Sequence, residues 1–183
     1  MGRKRRPPKG KKINPTFFVF CEGETEEAYV QFLKSTFRLA SIHLRTKVSG
    51  SRISTHYIQA YLRNKPTHEK DQVFLMYDSD VPEIVSRLQK IPDATLLLSN
   101  PCIELWFLLH FKEQRARLSS KNCIKELIKY HSAYKKGYIS PELGGHLSSH
   151  MAVAARRAKE MDIPANPSSS LYVLIFRLMM LRP

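Results

Sequence analysis

Three short apolar runs, each followed by a helical pattern, constrain the fold of this chain more than any other feature. They are TFFVFC at 16–21, QVFLMY at 72–77 and ATLLL at 94–98. Strands that are apolar on both faces and alternate with helices are typical of a parallel sheet covered by helices on each side. The sequence therefore predicts an α/β fold with a largely parallel sheet flanked by helices, and with additional C-terminal helices.

Apolar residues at helical spacing predict the helices of this fold. The predicted helices are 26–39, 52–63, 82–90, 102–111, 121–130, 151–161 and 168–181. Thr25 is expected to cap the first of them. Ser99 or Asn100 is expected to cap the fourth, with Pro101 in its first turn. The serine run at 168–170 is expected to cap the last.

The chain of 183 residues suits a single domain. Thirty Lys and Arg against sixteen Asp and Glu give a net charge of +14, which favours a polyanionic partner such as nucleic acid. Residues 1–12 carry seven basic side chains and no acidic one. We therefore expect a disordered basic arm at 1–12 and one domain at 13–183. The arm either contacts phosphates or only keeps the protein soluble.

Cysteine usage and hydropathy favour a cytoplasmic protein. The three cysteines have no CxxC spacing, and the N-terminus has no apolar stretch of the kind that a secretory signal needs. A membrane-spanning helix needs roughly 18 to 20 apolar residues. The best candidate, 171–181, is shorter and contains Arg177, so no membrane segment is expected.

Acidic residues follow two of the predicted strands. Glu22 comes directly after the first strand, and Asp78 and Asp80 follow the second. Because ligands bind beyond the carboxyl ends of parallel strands, we expect these carboxylates at one edge of the sheet. Grouped carboxylates need a cation or protons, and Mg²⁺ prefers oxygen ligands. The three residues are thus a predicted metal site, although Asp78 and Asp80 are also ordinary turn residues, and Glu22 could act as general base or acid instead.

Two further carboxylates are candidates for the same site. Glu26 stands four residues after Glu22, whereas Glu24 and Glu27 are expected to face solvent near the favourable helix dipole. Glu104 lies in the apolar stretch CIELWFLLHF, and a buried carboxylate needs a partner. That partner is either an Arg or Lys side chain or the metal centre.

Basic side chains in the second half of the chain are candidates for nucleic-acid binding. They are Lys121, Lys125, Lys129, Lys135 and Lys136. The first three step by four and so share one helix face, and the last two lie beside Tyr134 and Tyr138. The simpler interpretation is a solvated helix face.

Two polar segments near the C-terminus have weaker functional interpretations. Ser168 is expected at the start of the last helix, where free backbone N–H groups could hold a phosphate, although capping alone explains it equally well. The pair His146 and His150 has HxxxH spacing. We interpret it as a coincidence within a loop and not as a zinc site.

Four segments, in this order and spacing, make the chain resemble the RloB family of Toprim-like proteins: FVFCEGETEE, LMYDSD, SNPCIELWFLLHF and NPSSSLYVLI. The resemblance implies a Toprim fold that binds Mg²⁺ or Mn²⁺ to break or transfer phosphodiesters. Glu22 matches the family's glutamate, and Asp78 and Asp80 match its DxD pair. Glu26 matches an acidic position of related overcoming-lysogenization-type nucleases, and Glu104 matches the acidic residue of the NPC segment.

The same resemblance implies a function. The expected protein is a metal-dependent nuclease acting on DNA or RNA, tRNA included, as an effector of bacterial anti-phage defence. The resemblance also implies an ABC/AAA-type ATPase as partner, because RloB-like proteins are commonly encoded beside one. The chain has no Walker-type GxxxxGK[ST] motif with which to hydrolyse ATP itself. The alternative is a non-catalytic module that binds nucleic acid or the ATPase. The oligomeric state stays open, with a homo-oligomer as one alternative.

Overall fold

The structure, a computed structural model, describes residues 14–39 and 42–181. The basic arm predicted at 1–12 lies outside the described residues. The strands are β1 (Thr16–Cys21), β2 (His43–Val48), β3 (Gln72–Asp78), β4 (Ala94–Asn100) and β5 (Ser168–Ser169). The helices are α1 (Glu24–Phe37), α2 (Thr55–Leu62), α3 (Pro82–Leu88), α4 (Glu104–Phe111), α5 (Ser120–Tyr130), α6 (Pro141–Lys159) and α7 (Tyr172–Met179).

One five-stranded sheet, in the order β2-β1-β3-β4-β5, organises the fold. The first four strands are parallel, and β5 pairs antiparallel with β4. Cys21 is in register with Met76, and Asp78 is in register with Ser99, so the carboxyl ends of β1, β3 and β4 lie side by side. The predicted α/β class is confirmed, and the architecture agrees with the expected Toprim-like fold.

Alternate residues of the central strands pack into two cores, one on each face of the sheet. Phe17 and Phe74 belong to the core formed with α1, α4, α5, α6 and α7. Phe20 and Leu75 belong to the core formed with α2 and α3. Burial on both faces explains why β1 and β3 read as continuous apolar runs.

Helix α4 lies inside the larger core. Its residues from Glu104 to His110 are all buried, as its all-round apolar sequence predicts. The indole N–H of Trp106 donates a hydrogen bond of 2.6 Å to the hydroxyl of Tyr29 on α1. This contact fixes α4, and with it Glu104, against the helix that follows β1.

Strand β2 was not predicted. Its sequence HLRTKV is polar, and it pairs only with β1 at the edge of the sheet. An edge strand exposes one side to water and tolerates charged side chains there, so it lacks the apolar run that identified the central strands.

The predicted helix start at Ser99, Asn100 and Pro101 is wrong. Ser99 and Asn100 are the last residues of β4, and α4 begins at Glu104. The predicted cap at 168–170 is also wrong, because Ser168 and Ser169 form β5 and pair with Asn100 and Ser99. The hydroxyls of Ser99 and Ser169 lie 3.0 Å apart, so each satisfies the other inside the protein.

Helix α6 begins at Pro141 and not at 151, with Ser140 as its N-cap. His146 and His150 therefore lie on this helix, and their interpretation as loop residues is wrong. The His146 ring stacks on Phe111 with ring centres 3.9 Å apart, and on His150 at 4.1 Å. The two histidines thus pack as flat rings on the helix surface.

None of the helices among the described residues combines the length and the apolarity that a membrane span requires.

Candidate active site

The carboxylates of Glu22 and Asp78 lie at the ends of neighbouring strands and are joined through the backbone. The N–H of Glu22 donates to the carbonyl oxygen of Met76 at 3.0 Å. The N–H of Asp78 donates to Oε2 of Glu22 at 2.9 Å. This pair of hydrogen bonds fixes the Glu22 carboxylate against the end of β3, as the parallel register requires.

A cavity of about 320 Å³ opens at this edge of the sheet. Its lining residues are Glu22, Gly23, Glu24, Thr25, Glu26, Asp78, Ile103, Glu104, Lys136 and Gly137. Four of the five carboxylates predicted for the site thus meet in one cavity. Asp80, the fifth, is exposed and does not line it.

Among the carboxylates of the cavity, that of Asp78 most clearly needs a cation or a proton to balance its charge. Its Oδ1 is buried and has no hydrogen-bond partner among the described residues. Burial raises the pKa of Asp78, and the negative charges of Glu26, Glu22, Glu104 and Asp80, in that order of size, raise it as well, to about 9 in all. The site therefore holds a proton on Asp78 near neutral pH unless a cation replaces it.

Glu22 and Asp80 share this electrostatic environment. Burial raises the pKa of Glu22, the hydrogen bond from the Asp78 N–H lowers it, and the charge of Asp80 raises it again. Asp80 is thus near enough to repel Glu22 although it stays in solvent. The structure places Glu22 and Asp78 inside the cavity and Asp80 outside its lining.

Glu26 is only 5% exposed, and its Oε2 accepts a hydrogen bond of 3.0 Å from the N–H of Gly23. Gly23 is the N-cap of α1, so the predicted cap at Thr25 is wrong. Burial raises the pKa of Glu26, the N–H donors lower it, and the charges of Glu22 and Glu104 raise it again. Glu26 therefore closes the helix start and adds to the negative potential of the cavity.

Thr25 instead connects α1 to the turn formed by residues 135–138. Its Oγ1 accepts a hydrogen bond of 3.0 Å from the N–H of Gly137. Gly137 has φ of 73°, and a Cβ there would lie 3.4 Å from the side chain of Glu24. A glycine thus allows both the left-handed turn and its close approach to α1.

Replacing Thr25 by Val is expected to loosen this turn. Valine keeps the shape of threonine but leaves the Gly137 N–H without its acceptor, which costs about 1 to 2 kcal/mol of unfolding free energy. Urea unfolding measures the loss, and Thr25→Ser, which keeps the hydroxyl, is the matched control. Equal unfolding midpoints for Thr25→Val and the wild type would contradict this role of Thr25.

Glu104 is 1% exposed and has two partners from the segment after α5. The hydroxyl of Tyr134 donates to its Oε1 at 2.8 Å, and Nζ of Lys136 lies 3.7 Å from the same oxygen. Burial and the charge of Glu104 raise the pKa of Tyr134, so its hydroxyl stays protonated and donates. Glu104 thus has the predicted lysine partner and also lines the cavity, while its service to a metal stays a prediction.

The donor set fits a hard divalent cation. It consists of carboxylate oxygens, which suit Mg²⁺ or Mn²⁺ better than the thiolates and imidazoles of a zinc site. Among the described residues, no three His, Cys, Asp or Glu side chains are already grouped closely enough to enclose a metal. Mg²⁺ usually keeps several waters and binds one or two carboxylates plus substrate phosphate, so an open set headed by Asp78 Oδ1 is adequate.

Among the five lysines suggested for nucleic-acid binding, Lys136 lines the cavity. Lys121, Lys125 and Lys129 are exposed along α5, and Lys129 pairs with Glu126 on the same helix. Lys135 is exposed on the turn beside Lys136. The predicted place of Ser168 at a helix start is wrong, since this residue is 1% exposed within β5.

Tyr134 and Thr25 are the site residues whose roles sequence reasoning missed. Each acts through a hydrogen bond to a residue far along the chain, and no local sequence pattern predicts such a contact.

Comparison with known proteins identifies the family of the chain. A family model described as RloB-like protein matches residues 17–178, which is nearly the whole chain. Comparisons with curated proteins and with solved structures gave no match. The strand-end Glu22, the Asp78/Asp80 pair and the buried Glu104 all fall within the matched range. On this evidence of sequence and fold, the chain belongs to the RloB-like protein family.

Proposed function

We propose that this protein is a divalent-metal-dependent nuclease whose active site is the carboxylate cavity. The observation that carries the proposal is the buried, unpaired Oδ1 of Asp78 beside Glu22, Glu26 and Glu104. A fold gains nothing from such an arrangement by itself, because grouping carboxylates and burying one of their oxygens without a partner are both destabilising. In a site that binds a cation and then a phosphodiester, the unpaired oxygen and the grouped carboxylates would serve as ligands of the cation.

Glu22 and Asp78 are the residues that would hold the metal, with Asp80 at the outer side. A bound Mg²⁺ or Mn²⁺ would polarise the scissile phosphate and make water a better nucleophile. The Asp78 N–H orients Glu22 through the 2.9 Å hydrogen bond, so its carboxylate needs little rearrangement to bind an ion or to accept a proton. Asp78 would release its own proton in order to hold the cation.

Lys136 supplies the positive side chain of the cavity. Its side chain is 64% exposed while its Nζ lies 3.7 Å from the buried Glu104. The ammonium group can therefore move from Glu104 to a phosphate oxygen, and the Tyr134 hydroxyl continues to satisfy Glu104 after that movement. A cation at this position stabilises negative charge that develops on the phosphate oxygens.

The charge of the chain supports a polyanionic substrate. A net charge of +14 attracts phosphate backbones and speeds encounter at low ionic strength. The acidic cavity is then the local exception on a basic chain, which is the pattern of a metal site within a nucleic-acid-binding protein.

Family membership supports a proposal about the biological role of the protein, in addition to the reaction that it catalyses. We propose that the protein acts in the bacterial cytoplasm as an effector of anti-phage defence, together with an ABC/AAA-type ATPase. The resemblance to RloB-like proteins suggests this partner, and the ATPase activity would belong to the partner, since the sequence lacks a Walker-type motif. DNA and RNA, tRNA included, are both open as substrates.

One observation favours a second candidate, a non-catalytic module. Glu22, Glu26 and Glu104 already accept hydrogen bonds from protein donors, and no three potential ligands among the described residues are grouped for a metal. Such a module would bind nucleic acid or the ATPase and keep Asp78 protonated. The unpaired Oδ1 is what this alternative leaves unexplained.

Cleavage of labelled plasmid DNA, single-stranded DNA and total tRNA tests the proposal. The wild type and the double variant Asp78→Ala/Asp80→Ala are compared with Mg²⁺, with Mn²⁺ and with a chelator. We expect metal-dependent cleavage by the wild type only. Intact substrates throughout, with the ATPase partner present, would favour the binding module, and equal cleavage by the variant would place the activity elsewhere.

A further inference from the structure

A second groove adjoins the carboxylate cavity and plays no part in the metal site. It has a volume of about 550 Å³ and lies between α1 and α6. Gly137 lines both the groove and the cavity, so the turn at 135–138 forms the boundary between them. A ligand that leaves the cavity over this turn enters the groove directly.

The side chains of this turn differ from those of the cavity. Tyr138 lines the groove and is 55% exposed, so its ring is accessible to a ligand. Lys135 and Lys136 precede it and are exposed. Among the described residues, those that line the groove include no acidic side chain. The exposed ring of Tyr138 thus lies between Lys135 and Lys136 on one side and a groove without acidic side chains on the other. Such a surface suits nucleic acid, whose bases stack on aromatic rings and whose phosphates attract lysines.

Two glycines of α6 form one wall of the groove. A Cβ at Gly144 would lie 3.1 Å from the Phe32 ring, so Gly144 is needed for packing against α1. A Cβ at Gly145 would meet nothing within 4 Å. Gly145 therefore leaves open space in the groove that packing does not require, although glycine costs about 1 kcal/mol relative to alanine inside a helix.

We propose that this groove binds an unpaired segment of the nucleic-acid strand next to the scissile phosphate, with one base stacked on Tyr138. This inference rests on the proposed function and names its substrate class as single-stranded nucleic acid. A base inside a duplex has both faces covered by its neighbours and cannot stack on a side chain. The groove volume lies in the range of roughly 300 to 1,000 Å³ that takes small ligands, which suits unpaired nucleotides.

Binding measurements with the full-length protein test the role of Tyr138. The probes are fluorescein-labelled single-stranded DNA and RNA of about 16 nucleotides, the upper end of the site size of a small single-strand-binding domain, and the matching duplexes. Fluorescence anisotropy in the presence of a chelator measures affinity without cleavage. Tyr138→Ala is expected to weaken single-strand binding by about 5- to 150-fold, the range for loss of one base stack, while Tyr138→Phe keeps the ring and the affinity.

Gly145 provides a test that leaves the folded protein intact. Gly145→Leu places a side chain in the groove and is expected to weaken single-strand binding by at least about tenfold through steric exclusion. Gly145→Ala is the matched control and should bind like the wild type. Both variants should unfold at higher denaturant concentration than the wild type, because each replaces a helical glycine by a better helix former.

The outcomes separate this inference from the proposed nuclease. Duplex binding as tight as single-strand binding, or unchanged affinity in both Tyr138→Ala and Gly145→Leu, would overturn the inference even if metal-dependent cleavage is found. Wild-type protein that binds none of the probes would overturn it as well. Loss of cleavage in Asp78→Ala/Asp80→Ala with normal single-strand binding would support both proposals. Absent cleavage with the ATPase partner present, together with groove-dependent binding, would support the groove and contradict the proposed nuclease.

Discussion

Asp78→Asn is expected to reduce metal-dependent cleavage by more than about 100-fold. Asparagine keeps the size of the side chain but removes the charge that binds the cation. Loss of a residue that merely supports a metal ligand costs about 10- to 100-fold, so loss of a principal ligand costs more. The measurement is the initial rate of cleavage at saturating Mg²⁺ or Mn²⁺.

For the other carboxylates, the loss of cleavage activity on substitution should depend on whether the side chain lies inside or outside the cavity. Glu22→Gln is expected to match Asp78→Asn, because both side chains line the cavity and the backbone N–H of Asp78 holds the Glu22 carboxylate there through a 2.9 Å hydrogen bond. Asp80→Asn should cost about tenfold, within the range for a supporting residue, since Asp80 is exposed. Glu27→Gln, on α1 but outside the cavity lining, is the control. A Glu27→Gln loss as large as that of Asp78→Asn would contradict the assigned site.

The metal-free protein is expected to lose stability as the pH rises from about 4 to about 9. The pKa of Asp78 rises from 3.8 to about 9 on folding, so between these values the folded state holds a proton that the unfolded state has released. Stability falls with pH wherever the folded state binds more protons. The contribution of Asp78 is thus fully present below about pH 4 and is lost as the pH approaches 9.

Asp78→Asn removes this dependence and should stabilise the metal-free protein at neutral pH. At about 1.4 kcal/mol per pKa unit, the upper limit at pH 7 is about 4 kcal/mol, and relaxation of the cavity reduces the expected gain to about 1 to 3 kcal/mol. Thermal unfolding with a chelator at several pH values measures it. An Asp78→Asn variant that is less stable than the wild type at every pH would contradict the electrostatic account.

Added metal should stabilise the wild type and offset most or all of the advantage of Asp78→Asn. A cation at a hundredfold excess over its Kd stabilises the folded state by about 2.7 kcal/mol, which raises Tm by roughly 5 to 10 °C for a chain of this size. The increase should be larger at higher pH, because fewer protons compete for Asp78. Asp78→Asn should show little or no increase.

The central part of the fold could be predicted because its signals are local. The segments TFFVFC and QVFLMY are buried on both faces and form neighbouring parallel strands, and this arrangement places Glu22 and Asp78 at one edge of the sheet. Glu26 follows from its helical position four residues later. Physical rules that connect neighbouring residues were sufficient for this part of the site.

The remaining parts depend on contacts between distant residues. Thr25 binds Gly137, and Tyr134 binds Glu104, through side chains that only tertiary packing brings together. The paired hydroxyls of Ser99 and Ser169 allow a polar run to enter the sheet, whereas the same serines alone favour a helix cap. Strand β2 escaped prediction because an edge strand needs no continuous apolar run.

Calorimetric titration of the protein with Mn²⁺ tests the central claim most directly. Titrations at about pH 6.5 and about pH 8, each in two buffers of different ionisation enthalpy, give both the affinity and the number of protons released. We predict binding that releases about one proton per ion at the lower pH, tightens at the higher pH and is lost in Asp78→Asn. Absent binding, or binding that Asp78→Asn leaves unchanged, would contradict the assignment of this cavity as a metal centre.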